Sequence, residues 1–275
     1  MQQHHAPFRL LLPALAGGAM LFPAATLAQD GQPEDSDGGV SGFIALGPAL
    51  SPEYEGASDY EAVPLIISRI EGYGLGLEID GLDARLNLRN RPGLQFGPSF
   101  TYRPGRDDVS SNAVDRLSEI DDAIELGGFL RYQFVEVLRP QDELELGIEV
   151  LADVTGTHDG LTVGLGGGYA TFFAERWRFG FDAGLTFASD DYAETYFGID
   201  GADSARSGLS AFDAEGGLKD VVAEVSLGYA ISERWGVVGR LEYTRLVGDA
   251  ADSPVVDDEG SPDQVFAGLA VSFSF

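Results

Sequence analysis

The sequence predicts an all-β fold: a transmembrane antiparallel up-and-down β-barrel of about twelve strands, with ten as the alternative. Three observations predict it. Apolar residues recur at every second position along most of the chain, the period of a strand with one greasy face. The connectors between these segments are alternately short and mostly long, the asymmetry of inner turns and outer loops in outer-membrane barrels. No segment after residue 28 reaches the roughly 20 apolar residues that a helical span needs.

Residues 1–28 read as a secretory signal. His4, His5 and Arg9 form a weak n-region, Leu10 to Phe22 an apolar stretch, and Thr26-Leu27-Ala28 a small-residue cleavage site. Residues 29–39 are polar and acidic and are expected to be a disordered periplasmic lead-in. Residues 40–275 are expected to form the barrel in the outer membrane of a Gram-negative cell. Alternating segments lie near 40–49, 61–70, 73–80, 82–89, 93–103, 122–135, 142–155, 160–173, 176–188, 218–230, 234–248 and 263–275. The ninth is a clear case: Trp177, Phe179, Phe181, Ala183, Leu185 and Phe187 share one face, and Arg178, Gly180, Asp182, Gly184 and Thr186 the other. No interval carries a convincing 3.6-residue apolar period, so few helices are expected.

A sheet embedded in lipid cannot leave edge N–H and C=O groups unpaired, so the strands must close. With both ends of the barrel on the periplasmic side the strand number is even. The final strand, Val265 to Phe275, ends on an aromatic residue. Such a closing Phe275 resembles the signal read by the barrel-assembly machinery.

Charges on a lipid face cost roughly 2–4 kcal/mol at mid-depth for Arg or Lys. The charged residues of the strands are therefore assigned to the lumen: Asp83, Arg85, Arg103, Glu125, Arg131, Glu145, Glu149, Arg178, Asp182, Glu224, Arg240 and Glu242, with Arg89, Glu143 and Asp153 beside them. Glu78 and Asp80 join them if the third segment keeps its register. Two readings stay open: a mixed-charge network that fills and stiffens the interior, or the lining of a narrow, weakly cation-selective channel. Tyr169 and Trp177, and again Tyr229 and Trp235, flank short turns, where amphipathic rings would form an aromatic girdle at the inner interface.

The formal charge is −28, and all 45 acidic residues and every basic residue but Arg9 lie after the signal. That balance excludes nucleic acid as a partner, which needs a Lys/Arg patch. The absence of cysteine excludes disulfides and thiolate metal sites. The long loops 189–217 and 249–262 are rich in Asp and Glu. They read as solvated acidic faces; oxygen ligation of Ca²⁺ or Mg²⁺, bridging to lipopolysaccharide phosphates, is the alternative, but the EF-hand spacing is missing. No metal and no cofactor is assigned.

His158 is the one histidine after the signal and stands in an outer turn with Thr155, Thr157 and Asp159. It reads as a solvated surface residue; a hydrolase centred on it is the remote alternative. Glu143 and Glu145 have the spacing of neighbouring lumen positions rather than of a catalytic acid and base. The glycines from Gly164 to Gly168 lie within a strand, where they serve bending or close packing rather than phosphate binding. No catalytic residue is assigned.

The most specific string is Gly47 to Leu65, with Pro52, Tyr54, Gly56, Asp59, Tyr60 and Pro64 in the pattern P-x-Y-x-G-x-x-D-Y followed by a strand that carries a proline. Its tyrosines are expected to fold over the barrel mouth. This stretch closely resembles the MipA/OmpV family, and the likeness extends through Gly74-Leu75-Gly76-Leu77 and Gly97-Pro98 to the terminal Phe275. The resemblance implies a non-enzymatic outer-membrane barrel that acts as a scaffold between a lytic murein transglycosylase and a murein synthase, or in envelope integrity. The partners it implies are outer-membrane lipid and lipopolysaccharide, murein hydrolase or synthase proteins, and the assembly machinery.

Overall fold

A computed structural model describes residues 39–275. The expected signal at 1–28 and all but the last residue of the expected lead-in at 29–39 lie outside the described residues. The described residues form twelve antiparallel strands: β1 (Ser41–Pro52), β2 (Tyr60–Gly72), β3 (Leu75–Asp80), β4 (Asp83–Asn87), β5 (Gly93–Arg103), β6 (Ala123–Val135), β7 (Glu143–Asp153), β8 (Leu161–Phe173), β9 (Trp177–Ala188), β10 (Gly217–Ala230), β11 (Trp235–Leu246) and β12 (Asp263–Ser274). Each pairs with its neighbours in sequence, and β1 pairs with β12 to close the barrel. The ten-strand alternative is excluded. β3 and β4, with 6 and 5 residues, are the shortest strands.

Closure satisfies the backbone that lipid cannot. At the seam, Phe43 lies opposite Ser274 and Leu50 opposite Ala267, and Gly42 and Phe275 exchange both backbone hydrogen bonds at 3.1 and 3.0 Å. Outward residues such as Leu146, Leu241, Leu269 and Val271 are exposed, as lipid-facing positions must be. Their inward neighbours Glu145, Arg240 and Ala270 are buried.

The described helices sit in the outer loops: α1 (Asp190–Phe197), α2 (Gly201–Ser207), α3 (Asp249–Asp252), α4 (Pro254–Asp257) and a 3-10 turn at Val114–Arg116. Ser189 caps α1 through Tyr192 N–H, Asp200 caps α2 through Ala202 and Asp203 N–H, and Ser253 caps α4 through Val255 N–H. These caps supply acceptors for otherwise orphaned amide donors. The helices pack into a lid over one mouth of the barrel.

Candidate functional site

The interior is crossed by ion pairs at several levels. Arg85 on β4 reaches Glu149 on β7 through two bonds of 2.7 and 2.6 Å. Arg131 on β6 holds Glu78 on β3, with one bond at 2.9 Å, and donates to Gln95 at 2.7 Å. Arg240 on β11 pairs with Asp80 on β3 and Glu224 on β10. Arg103 forms a two-bond pair with Glu125 at 2.8 and 3.1 Å. Arg178 meets Glu143 at 3.4 Å. Buried charges demand such partners, so the alternation of the strands dictates that the interior be cross-linked. Asp83 accepts from Thr101 at 2.7 Å. Glu78 and Asp80 do face inward, because β3 keeps the register that puts Glu78 opposite Arg85.

One stretch of wall is less well compensated. Asp182, Glu224 and Glu242 stand directly opposite one another on β9, β10 and β11, an arrangement that like charges disfavour. Asp182 Oδ1 and both carboxylate oxygens of Glu145 are buried with no hydrogen-bond partner in the protein. Near the inner end, uncharged amides join the ion pairs: Asn87 donates to Gln95 at 2.9 Å, and Gln95 to Gln133 at 2.9 Å.

The outer mouth is covered by an apolar cluster. Tyr192, Tyr196 and Phe197 of α1 pack with Val255 and Val256 of α4, Leu246, Ile199, Leu117, Ile120 and Tyr54. Tyr192, Phe197, Val255 and Val256 are fully buried. This corrects the expectation that loops 189–217 and 249–262 are solvated acidic faces. Most of their carboxylates lie outward and Asp200 caps α2, but Asp203 is buried and accepts from Ser118 N–H and Oγ at 2.9 and 3.0 Å, while the apolar residues between them pack into the cluster. The lid is tied to the wall by Glu55, which pairs with Lys219 of β10 and accepts from Tyr192 Oη at 2.8 Å. Burial opposes the ionisation of Glu55, but Lys219 and Arg103 outweigh it and hold its carboxyl below the ordinary range. Burial pushes the Tyr54 hydroxyl up to about 12, against the pull of Arg106. Burial brings Arg106 down to about 10 in return, although Tyr54, Asp203 and Tyr196 favour its charge.

The first loop, the specific motif of the sequence, stitches the seam. Pro52 ends β1, and Glu53 N–H donates to the Asp59 carbonyl at 3.0 Å. Gly56 has a φ of +95°, and a Cβ there would lie 2.5 Å from Val256 Cγ2, so any side chain at the motif position is both strained and crowded. Gly56 N–H donates to Gln264 Oε1 at 3.3 Å, while the Gln264 amide donates to the Ala57 carbonyl at 3.0 Å. Tyr54 folds into the lid as expected. Tyr60 does not: it stays on the rim, 45% exposed, and its hydroxyl accepts from Val265 N–H at 3.1 Å. Pro64 lies opposite Pro48, where neither residue has an N–H to lose.

His158 is buried, which corrects its reading as a solvated turn residue. Its Nδ1 accepts from Gly160 N–H at 3.1 Å, which leaves Nε2 to carry the proton toward Glu125 at 3.0 Å. Its ring lies edge-on to Tyr192, 5.1 Å between centroids. Both ring nitrogens are thus engaged, one within its own turn and one with the β6 wall, while the ring itself packs against Tyr192 and Tyr196 of the lid. Among the described residues, no group of three or more His, Asp or Glu is placed to hold a metal ion.

At the inner end, Trp177 packs on Tyr229 with centroids 4.7 Å apart and stacks near Phe173 at 6.0 Å; Trp235 packs on Phe273 at 4.9 Å. Tyr169 donates to Asp142 at 2.9 Å. All four aromatics stand on the outward faces of their strands beside short turns, the positions a girdle requires.

The architecture is thus a closed, outward-apolar cylinder with a braced interior and a folded lid. A family model for the MltA-interacting protein MipA matches residues 44–275. The chain belongs to the MipA family. MltA-interacting protein of Escherichia coli (strain K12) is 27% identical over 162 residues, 58% of each chain. Outer membrane protein OmpV of Vibrio cholerae serotype O1 is 34% identical over 93 residues, 34% of each chain. The match thus spans a little over half of the first relative's length. Among solved structures, the COG4313 outer membrane channel from Pseudomonas putida F1 is 12% identical with a TM-score of 0.46, covering 93% of this chain and 100% of that one. The outer membrane channel DcaP of Acinetobacter baumannii is 12% identical with a TM-score of 0.39, covering 87% and 97%. This MipA-family member is an outer-membrane protein, as OmpV is by name.

Proposed function

We propose that this MipA-family barrel is a non-enzymatic scaffold of the outer membrane that gathers peptidoglycan-remodelling enzymes at its periplasmic end. The observation that carries the reading is the braced interior: Arg85–Glu149, Arg131–Glu78 and Arg240–Asp80 each link distant strands across it. A transport path would have to break buried pairs, and removing one partner of such a pair typically costs about 3–5 kcal/mol. The lid above adds a second obstruction. The choice of partner is supported by the name of the E. coli relative, an MltA-interacting protein. Engagement of both nitrogens of His158, by Gly160 of its own turn and Glu125 of β6, favours a structural over a hydrolytic role for that residue. The inner aromatics are read as interface anchors, and lipopolysaccharide as the neighbour of the acidic outer loops.

The test is co-purification from cross-linked envelopes, with planar-bilayer recording of the same protein. Specific recovery of a murein hydrolase or synthase with electrically silent bilayers is expected. Steady ohmic steps with no such partner would overturn the reading. A narrow cation-selective channel is the second reading, favoured by one observation: the row of Asp182, Glu224 and Glu242 with a single arginine between them.

A further inference from the structure

We infer that the lumen wall holds a binding site for a linear aliphatic polyamine, laid along the bare inner face of β8 between Glu145 and Asp182. The inference does not depend on the scaffold reading, since the site lies inside the barrel. It rests on space, on unmet hydrogen bonding and on charge.

Glycine provides the space. Leu161 and Leu165 of β8 are exposed on the outer face while Thr162 and Ala170 are buried, so alternation turns Gly164, Gly166 and Gly168 inward. Gly147 of β7 and Gly184 of β9 flank Gly166 on either side. The inner wall is therefore backbone alone along a trough of about 13 Å, the rise of four strand residues. A Cβ on Gly164 would meet no atom within 4 Å. Val222 Cγ1, 3.3 Å from the same position on Gly184, bounds the trough on the β10 side. Glycine inside a strand gives up side-chain packing and marks places where a ligand approaches the backbone closely.

At one end of the trough Glu145 and Asp182 stand on either side of Gly168. Their Cα atoms are two strand spacings apart, about 10 Å. Glu145 is fully buried and Asp182 is 6% exposed, yet Oε1 and Oε2 of Glu145 and Oδ1 of Asp182 meet no donor in the protein. A buried acceptor left unmet is costly. An ammonium group between the two carboxylates supplies three N–H donors together with a positive charge.

The arginines that face this part of the lumen are committed elsewhere. Arg85 is held by Glu149, Arg178 by Glu143, and Arg240 by Asp80 and Glu224. Arg69 meets Glu71 and Glu78. Arg131 binds Glu78 and approaches Glu145 only to 3.8 Å. Glu242, beside Glu224, accepts from Thr244 at 3.3 Å. However the pairs are divided, Asp182, Glu145 and Glu242 leave the local balance negative.

Among the described residues, no three carboxylates gather closely enough for a bare metal ion. A polyamine differs, because its charges are strung out along a chain whose methylenes can lie on glycine backbone. Glu149 stands beside Gly164 at the other end of the trough; although held by Arg85, its carboxylate keeps lone pairs for a second ammonium. The lid covers the outer mouth, so entry is from the periplasmic end. There the Arg178–Glu143 pair, its side chains 12% and 22% exposed, stands in front of the trough.

The test is isothermal titration of spermidine into the full-length barrel in nanodiscs of zwitterionic lipid at fixed ionic strength. One saturable site is expected, weakened about tenfold or more by Asp182→Asn and by Glu145→Gln. The outer-surface variant Asp257→Asn/Asp258→Asn should leave it unchanged. Gly166→Val, which fills the trough, should abolish it, with heat-modifiable migration on gels verifying the fold. Should that variant not fold, Gly164→Ala adds a methyl where there is open space, and several-fold weakening is expected. Wild-type affinity in every lumen variant, or loss in the outer-surface variant alone, would assign the amine to the acidic loops and overturn the proposal. So would the lack of a saturable site in the wild type, or displacement of spermidine by magnesium at equal charge concentration.

Discussion

Arg85 and Glu149 stand 64 residues apart in the chain, on β4 and β7, and join across the barrel by two bonds of 2.7 and 2.6 Å. The pair is well buried on both sides. Its worth lies in mutual dependence: a buried pair contributes little over an apolar pair of the same volume, yet either partner alone is an uncompensated charge. Arg85→Ala is therefore expected to destabilise the barrel by about 3–5 kcal/mol, and the double variant Arg85→Met/Glu149→Leu by much less. Urea titration of the folded, heat-modifiable form measures both. Equal losses for single and double variants would contradict the pairing.

Lid and bracing should obstruct the lumen independently. Replacing residues 190–215 by a short Gly-Ser linker removes α1 and α2 but leaves the transverse pairs, so bilayers are expected to stay silent. Adding Arg131→Ala and Arg240→Ala should produce conductance steps. These should favour cations, since Asp80 and Glu224 lose Arg240 and Glu78 loses Arg131. Single-channel recording with a salt gradient reads both the steps and their reversal potential.

The Glu55 latch sets a pH window. The folded carboxyl lies below the ordinary range, so its contribution is fully present above the unfolded carboxyl pKa, roughly 4.3. It is lost as pH falls through the lower, folded value. The lid is expected to stay closed at pH 5 and to loosen only in stronger acid. Glu55→Gln should loosen it at every pH. Spin labels at the exposed positions 58 and 210 report the distance between first loop and lid.

Gly56→Ala tests the motif. The added methyl meets Val256 on a backbone with φ of +95°, so a loss of about 1–3 kcal/mol is expected, confined to the lid. Hydrogen exchange should speed up in α1 and α4 with the strands unaffected. Restoration by the pairing variant Val256→Ala would separate steric clash from backbone strain.

The strands were legible because lipid imposes a simple rule on them. From Trp177 to Phe187 every second residue is apolar, and the structure places all of these outside. The lid was not legible, for physical reasons. Its helices have 8, 7, 4 and 4 residues, too short for a 3.6-residue period to stand clear. Tyr192 and Tyr196 do have helical spacing, and Ser189 is a serviceable cap, but Asp190, Asp191 and Glu194 between them give the segment the look of a solvated loop. Lys219 was hidden by a different cause. A bulge between Leu218 and Asp220 turns two successive residues, Lys219 and Asp220, into the interior, which strict alternation forbids. Asp142 reads as an ordinary turn residue until its bonds to three backbone amides are seen.

The bond between Gly56 and Gln264 spans 208 residues and joins the first outer loop to the segment that begins β12. The lid thus draws on both ends of the barrel and cannot be completed while the seam is open. During biogenesis it would be the last tertiary unit to form, since its pieces converge only when β12 docks beside β1. A fully protected lid would then certify a finished cylinder, and a protease acting from the cell exterior would distinguish mature barrels from those stalled one strand short.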